Sequence, residues 1–188
     1  MDIITLAESL EVCGKTYKIN SDFRPCLGIM QTFENNDITE AEKLIVLVGI
    51  LFKEEIPAEH FGEAVDKALC FLDGGQEESN THGRDYGRLY SWKQDIKYIL
   101  SAVDLTLNIS SRSQTYMHWW IFLSALMECK ECTFSTLIHQ RKLKKIGKQE
   151  KYDKEWWAEN REIAELKLEI VLTQEEMAAV DKFNKLMG

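Results

Sequence analysis

Apolar and polar positions alternate on both sides of a glycine turn near the start of the chain. Leu10 and Val12 precede Cys13-Gly14-Lys15, and Tyr17 and Ile19 come after it. A period of two around a glycine predicts a β-hairpin. An isolated hairpin is marginal in water, so this one must pack on the segments C-terminal to it. From there the pattern is helical. Asp22 can cap a segment from Phe23 to Phe33, and Thr39-Glu40-Ala41-Glu42 is a capping box ahead of the apolar run Leu44–Phe52. Such a run also fits a buried strand, but the capping box and the lack of an internal turn signal select helix. Pro57 opens a third helix with Phe61, Val65, Leu69 and Leu72 on one face, closing at Gly74-Gly75.

Residues 73–88 contain four glycines and almost nothing apolar, which reads as a flexible loop. Beyond it Trp92, Ile96, Ile99, Leu100, Val103 and Leu107 trace an amphipathic stripe. A polar break at Asn108–Gln114 leads into Tyr116-Met117-His118-Trp119-Trp120-Ile121-Phe122-Leu123 and on to Met127. Helical neighbours point about 100° apart, so adjacent tryptophans cannot share one face. A segment apolar on nearly every side is either central core or a partner's contact surface. A further helix runs from Thr133 through Phe134, Leu137, Ile138 and Leu143 to about Gly147. Tyr152 to Met187 is highly charged with sparse apolar positions, and Thr173-Gln174-Glu175-Glu176 is a second capping box that starts a short final helix. The expected architecture is mostly α: a compact multi-helix domain with a small N-terminal β-hairpin over 1–147, then a charged C-terminal helical extension over 148–188.

Composition narrows the function. With 188 residues, 45% hydrophobic and 29% charged, the chain has the balance of a globular protein with one sizeable core. No apolar run approaches the roughly 20 residues of a membrane span, and the N-terminus carries no basic, signal-like start. Five cysteines, an odd number, suit reduced thiols in a cytoplasmic protein. A formal net charge of −8 argues against a chain-wide nucleic-acid role.

Candidate chemistry is sparse. Cys129-Lys130-Glu131-Cys132 has ligand or redox spacing, yet no second pair completes a zinc site and no βαβ pattern surrounds it, so the pair reads as incidental. His118 has no nucleophile or acidic orienter near it in sequence and reads as a core histidine. The run Arg141-Lys142-Leu143-Lys144-Lys145-Ile146-Gly147-Lys148 reads as the cationic end of a helix with a solvated turn after it. Paired carboxylates such as Glu54-Glu55 lie in polar stretches with nothing to shift them. The chain presents no catalytic, cofactor-binding or metal residues, and an interaction protein is the expectation.

Several motifs also resemble a known family. Gly14-Lys15-Thr16-Tyr17-Lys18-Ile19-Asn20-Ser21-Asp22-Phe23-Arg24 is similar to the opening of the phage "gene product fifteen" family. So, in order, are Asp95-Ile96-Lys97-Tyr98-Ile99, Val103-Asp104-Leu105, His118-Trp119-Trp120-Ile121-Phe122 and Phe134-Ser135-Thr136-Leu137-Ile138-His139-Gln140-Arg141. The resemblance runs from about residue 10 to residue 160. It departs at Cys129–Cys132, where the family more often has an acidic loop.

The resemblance implies a non-catalytic tail assembly chaperone of a long-tailed phage or prophage of Gram-positive bacteria. Such a protein coats the apolar, helical tape measure protein in the host cytoplasm until tail-tube polymerisation displaces it, and is absent from the mature virion. Self-association is implied, with the major tail protein as a further partner. An aromatic or Met-rich groove on an acidic body suits such a client. The alternative is a small phage regulator that binds a host protein or nucleic acid through 141–148. With Trp119-Trp120 assigned mainly to core, the partner-binding candidates are the 73–88 loop and Trp156, Trp157, Ile163, Leu166 and Ile170.

Overall fold

The computed structural model describes residues 5–75 and 86–167. The helix expected after Thr173, Ile170 and the middle of the 73–88 loop lie outside the described residues.

Strands β1 (Ser9–Val12) and β2 (Lys15–Lys18) pair antiparallel, with Leu10 opposite Tyr17 and Val12 opposite Lys15. The connection is a two-residue turn in which Cys13 and Gly14 both have positive φ, 49° and 73°. That mirror-image turn matches the twist of the strands. The alternating set Leu10, Val12, Tyr17 and Ile19 is buried on one face. The amide of Asn20 donates to the Leu51 carbonyl at 2.7 Å, and that of Lys53 to Lys18 at 3.0 Å, fastening the hairpin to the helical body.

Three helices surround it: α1 (Phe23–Phe33), α2 (Glu40–Leu51) and α3 (Phe61–Leu72), the last entered through a 3₁₀ turn at Ala58–His60. Asp22 caps α1, and Thr39 with Glu42 forms a complete capping box on α2. The face of α3 differs from the expected one. Ala64, Val65, Ala68, Phe71 and Leu72 are buried, while Leu69 is 41% exposed. Ala64 and Ala68 let the backbone of α3 approach the hairpin closely, which rotates Leu69 outward.

The second half contributes α4 (Ile96–Leu107), α5 (Trp119–Met127), α6 (Thr133–Lys145), α7 (Lys151–Glu159) and the single turn α8 (Arg161–Ala164). Trp92 is buried as expected, but from the turn before α4 rather than from its stripe. Asn108, with a φ of 54°, ends α4 in the left-handed conformation. One cluster of buried residues runs from Leu10 in β1 to Phe134 in α6, so both sides of the 73–88 segment share a core.

Candidate functional site

The tryptophan segment is the centre of that core. Trp119 is fully buried and Trp120 nearly so. Their indole N–H groups donate to consecutive carbonyls at the end of α3, Trp119 to Leu72 and Trp120 to Phe71, both at 2.8 Å. The 100° step between adjacent residues sends the two rings to different neighbours, Trp119 to Trp92 and Phe122, and Trp120 to Phe71. His118 caps α5: its Nδ1 accepts from the Trp120 amide at 3.1 Å, leaving Nε2–H to donate to the Ala7 carbonyl at 2.9 Å. Both imidazole nitrogens are occupied, and no nucleophile stands at either.

Aromatic rings continue in series through the molecule. Phe23 stacks on Phe122 at 4.8 Å, Phe122 on Trp119 at 5.6 Å, and Trp119 meets Trp92 at 5.8 Å. Trp92 meets Tyr90 edge-on at 5.3 Å, and Tyr90 meets Phe134 at 5.5 Å. Six rings thus link the start of α1 to the first turn of α6.

Polar residues lock the same frame. Arg24 grips both oxygens of Asp22 at 3.0 Å and donates to the Ser111 and Gln114 carbonyls, while Asp22 accepts the Met117 amide. Glu34, at the end of α1, accepts from the Ser91 hydroxyl and the Trp92 and Lys93 amides and pairs with Arg88. Arg141 uses all five of its N–H groups. Two go to Asp95, and the others reach the carbonyls of Leu89, Ile163 and Ala164.

That finding takes Arg141 out of the basic run 141–148 as a candidate contact for a partner. Arg141 is buried and unavailable to a phosphate. Lys145 Nζ donates to the Tyr86 and Arg88 carbonyls. Lys142 lies over the Tyr86 ring at 4.4 Å and Lys144 over Trp157 at 4.0 Å. Lys142, Lys144 and Lys145 do occupy the last turn of α6, where they complement its dipole.

The motifs that resemble the phage family therefore form the scaffold. Asn20, Asp22, Phe23, Arg24, Asp95, His118, Trp119, Trp120, Phe122, Phe134 and Arg141 all hold one element to another. The family model described as "Bacteriophage Gp15 protein" matches residues 3–166. The chain belongs to the bacteriophage Gp15 family. No curated protein and no solved structure matches it. As a phage protein of this family it has no helix, among the described residues, long and apolar enough to cross a membrane.

Exposed apolar side chains lie elsewhere. Three depressions adjoin along one side of α4, α5 and α6. The first, about 360 Å³, runs along the end of α4 from Leu105 to Arg112. The second, about 120 Å³, shares Leu105 with it and reaches Cys129. The third, about 470 Å³, shares Cys129 and is floored by Tyr90, Leu126, Phe134 and Ile138. Leu105 and Met127, 68% and 76% exposed, stand along this band. The third is lined mainly by apolar side chains, the first mainly by polar ones such as Asp104, Asn108 and Arg112, and the second is mixed, so the band offers several modest contacts. Among the described residues no three His, Cys, Asp or Glu side chains converge to hold a metal.

The partner-binding residues expected from sequence are not part of this band. Trp156, Trp157, Ile163 and Leu166 are half-buried on the 151–166 segment, with Trp157 under Lys144 and the Ile163 carbonyl held by Arg141. The sequence did hold a signal for the band. Helix α5 is apolar all round, and once its tryptophan face is buried, Ile121 and Met127 are left outside.

Proposed function

We propose that this member of the Gp15 family is a non-catalytic tail assembly chaperone that keeps the tape measure protein soluble while the tail tube assembles. In this reading it acts in the host cytoplasm, in several copies along one client, and does not remain in the finished virion. The observation that carries the reading is the band from Leu105 through Cys129 to Met127 and Ile138. It offers exposed apolar side chains, Leu105, Met127 and those of the third depression, with polar groups between them, on a body of net charge −8. An amphipathic helical client lays its apolar face into such a surface by repeated i, i+3, i+4 contacts. Shallow contacts summed over many copies hold a long chain yet release it stepwise when tube subunits compete. A regulator acting through 141–148 is less well supported, because Arg141, Lys142, Lys144 and Lys145 all have partners within the fold.

Co-expression with the tape measure protein from the same genome tests the proposal. The client is expected to stay soluble and to co-purify with the chain. A client that stays insoluble, or that never co-purifies, overturns it.

A further inference from the structure

Cys129 and Cys132 lie in the connection between α5 and α6, and both are half-buried. Both line the same small depression of about 120 Å³ beside the end of α4. Cys132 is the N-cap of α6, a helix of 13 residues, and the Ser135 hydroxyl accepts its amide at 3.0 Å in a reciprocal capping box. The sequence pattern offers this pair no βαβ unit, but the structure supplies what thiolate chemistry needs: a helix N-terminus at one sulfur and a second thiol three residues away, lining the same depression.

The two sulfurs differ in character. Burial pushes the Cys132 thiol up, but the Ser135 amide and hydroxyl, the Phe134 amide and the Cys129 thiol outweigh it, leaving it below the ordinary cysteine value. Burial and the charge of Cys132 push the Cys129 thiol up. Two other cysteines are poor nucleophiles. Cys26 is driven up to about 12 by burial and by Asp22, and the exposed Cys13 is raised by its hydrogen bond to Glu63.

We propose that Cys129 and Cys132 are a dithiol–disulfide centre, with Cys132 the attacking thiolate, Cys129 the resolving thiol, and small thiol disulfides such as glutathione disulfide the oxidant. The Cys132 thiolate attacks one sulfur of the oxidant, its S–S bond breaks, and one glutathione thiolate leaves, giving a mixed disulfide on Cys132. Cys129 then gives up its proton and attacks the Cys132 sulfur, and the second glutathione thiolate leaves. The pair loses two electrons, one glutathione disulfide becomes two glutathiones, and both protons end on them. The polarity is set by the helix: the later cysteine of the motif caps it, so the later cysteine attacks. With no third ligand in reach among the described residues, exchange chemistry fits the pair better than metal binding.

The test uses the full chain alone, so its outcome is independent of client binding. The wild type, Cys132→Ser and Cys129→Ser are incubated with glutathione disulfide at neutral pH, and each cysteine is tracked by peptide mass spectrometry. Serine is itself a good N-cap, so Cys132→Ser keeps the helix start. The wild type is expected to form the Cys129–Cys132 disulfide without a lasting adduct. Cys129→Ser should accumulate glutathione on Cys132. In Cys132→Ser, Cys129 should react severalfold more slowly than Cys132 does in Cys129→Ser, because the less acidic thiol holds less thiolate. Modification first at Cys13, equal reactivity of Cys129 and Cys132, or no reaction at either overturns the proposal.

Discussion

Arg141 donates to both carboxylate oxygens of Asp95, at 2.6 and 3.0 Å, with the two side chains 3% and 1% exposed. The Ser91 amide completes the carboxylate, and three carbonyls complete the guanidinium. The pair joins α6 to the start of α4 and draws α8 onto both.

Removing one partner strands the other charge in the interior. Arg141→Met should therefore destabilise the fold by about 3–5 kcal/mol in urea denaturation, and Asp95→Leu by a similar amount. The double variant should cost clearly less than the sum. Additive losses would mean that the pair is not a coupled unit.

The ring series predicts a sharp difference between tryptophans. Trp119→Ala empties the centre of the core and should cost about 3–5 kcal/mol. Trp157→Ala, on the half-buried α7, should cost under about 1 kcal/mol, in the range of surface changes. Thermal unfolding of the two variants settles the order, and equal losses would contradict the core assignment of α5.

Charge placed in the apolar band separates binding from folding. Leu105→Asp and Met127→Asp replace exposed side chains, so the unfolding midpoint should stay close to that of the wild type. Recovery of the tape measure protein by co-purification should fall severalfold. Trp156→Ala with Trp157→Ala is the matched control. If that control abolishes recovery while the band variants retain it, the client surface lies on 151–166.

Acid should weaken two helix starts. Glu42 is held below its ordinary 4.5 by the Thr39 amide and hydroxyl, and Asp153 below its ordinary 3.8 by the Gln140 side chain and the Glu150 amide. A carboxyl depressed in the folded state stabilises it fully above its unfolded value, and that share is lost as pH falls through the folded value. Stability should hold near neutral pH and decline below about pH 4.5, and the Glu42→Gln, Asp153→Asn double variant should decline less steeply. Parallel curves would mean that these caps contribute nothing to the acid sensitivity.

What the sequence revealed was local. The Cys13-Gly14 turn, the Asp22 cap and the Thr39 capping box depend on neighbours a few residues apart, and each stands where the pattern put it. His118 as a cap was hidden because imidazole is not among the side chains that usually cap helices. The face of α3 was misjudged because Ala64 and Ala68 contribute weakly to a hydrophobic stripe yet decide how closely the helix packs. Arg141 read as surface because its partner lies 46 residues away, among lysines that are exposed or half-exposed. Beyond the all-apolar α5, periodicity gave no sign of the band, since Cys129 joins Leu105 on one side and Ile138 on the other only after three helices have packed.

The clamp on the end of the described chain holds main chain only. Arg141 takes the carbonyls of Ile163 and Ala164, and the Gln94 side chain takes the Glu165 carbonyl and the Lys167 amide. Every residue type carries a carbonyl and all but proline an amide, so the clamp is indifferent to the side chains it holds in place. Ala164 is fully buried and must stay small, and Ile163 and Leu166 are half-buried, but the exposed Glu165 and Lys167 can change in identity without losing these bonds. In engineering terms, substitutions at Glu165 and Lys167 should leave these hydrogen bonds in place.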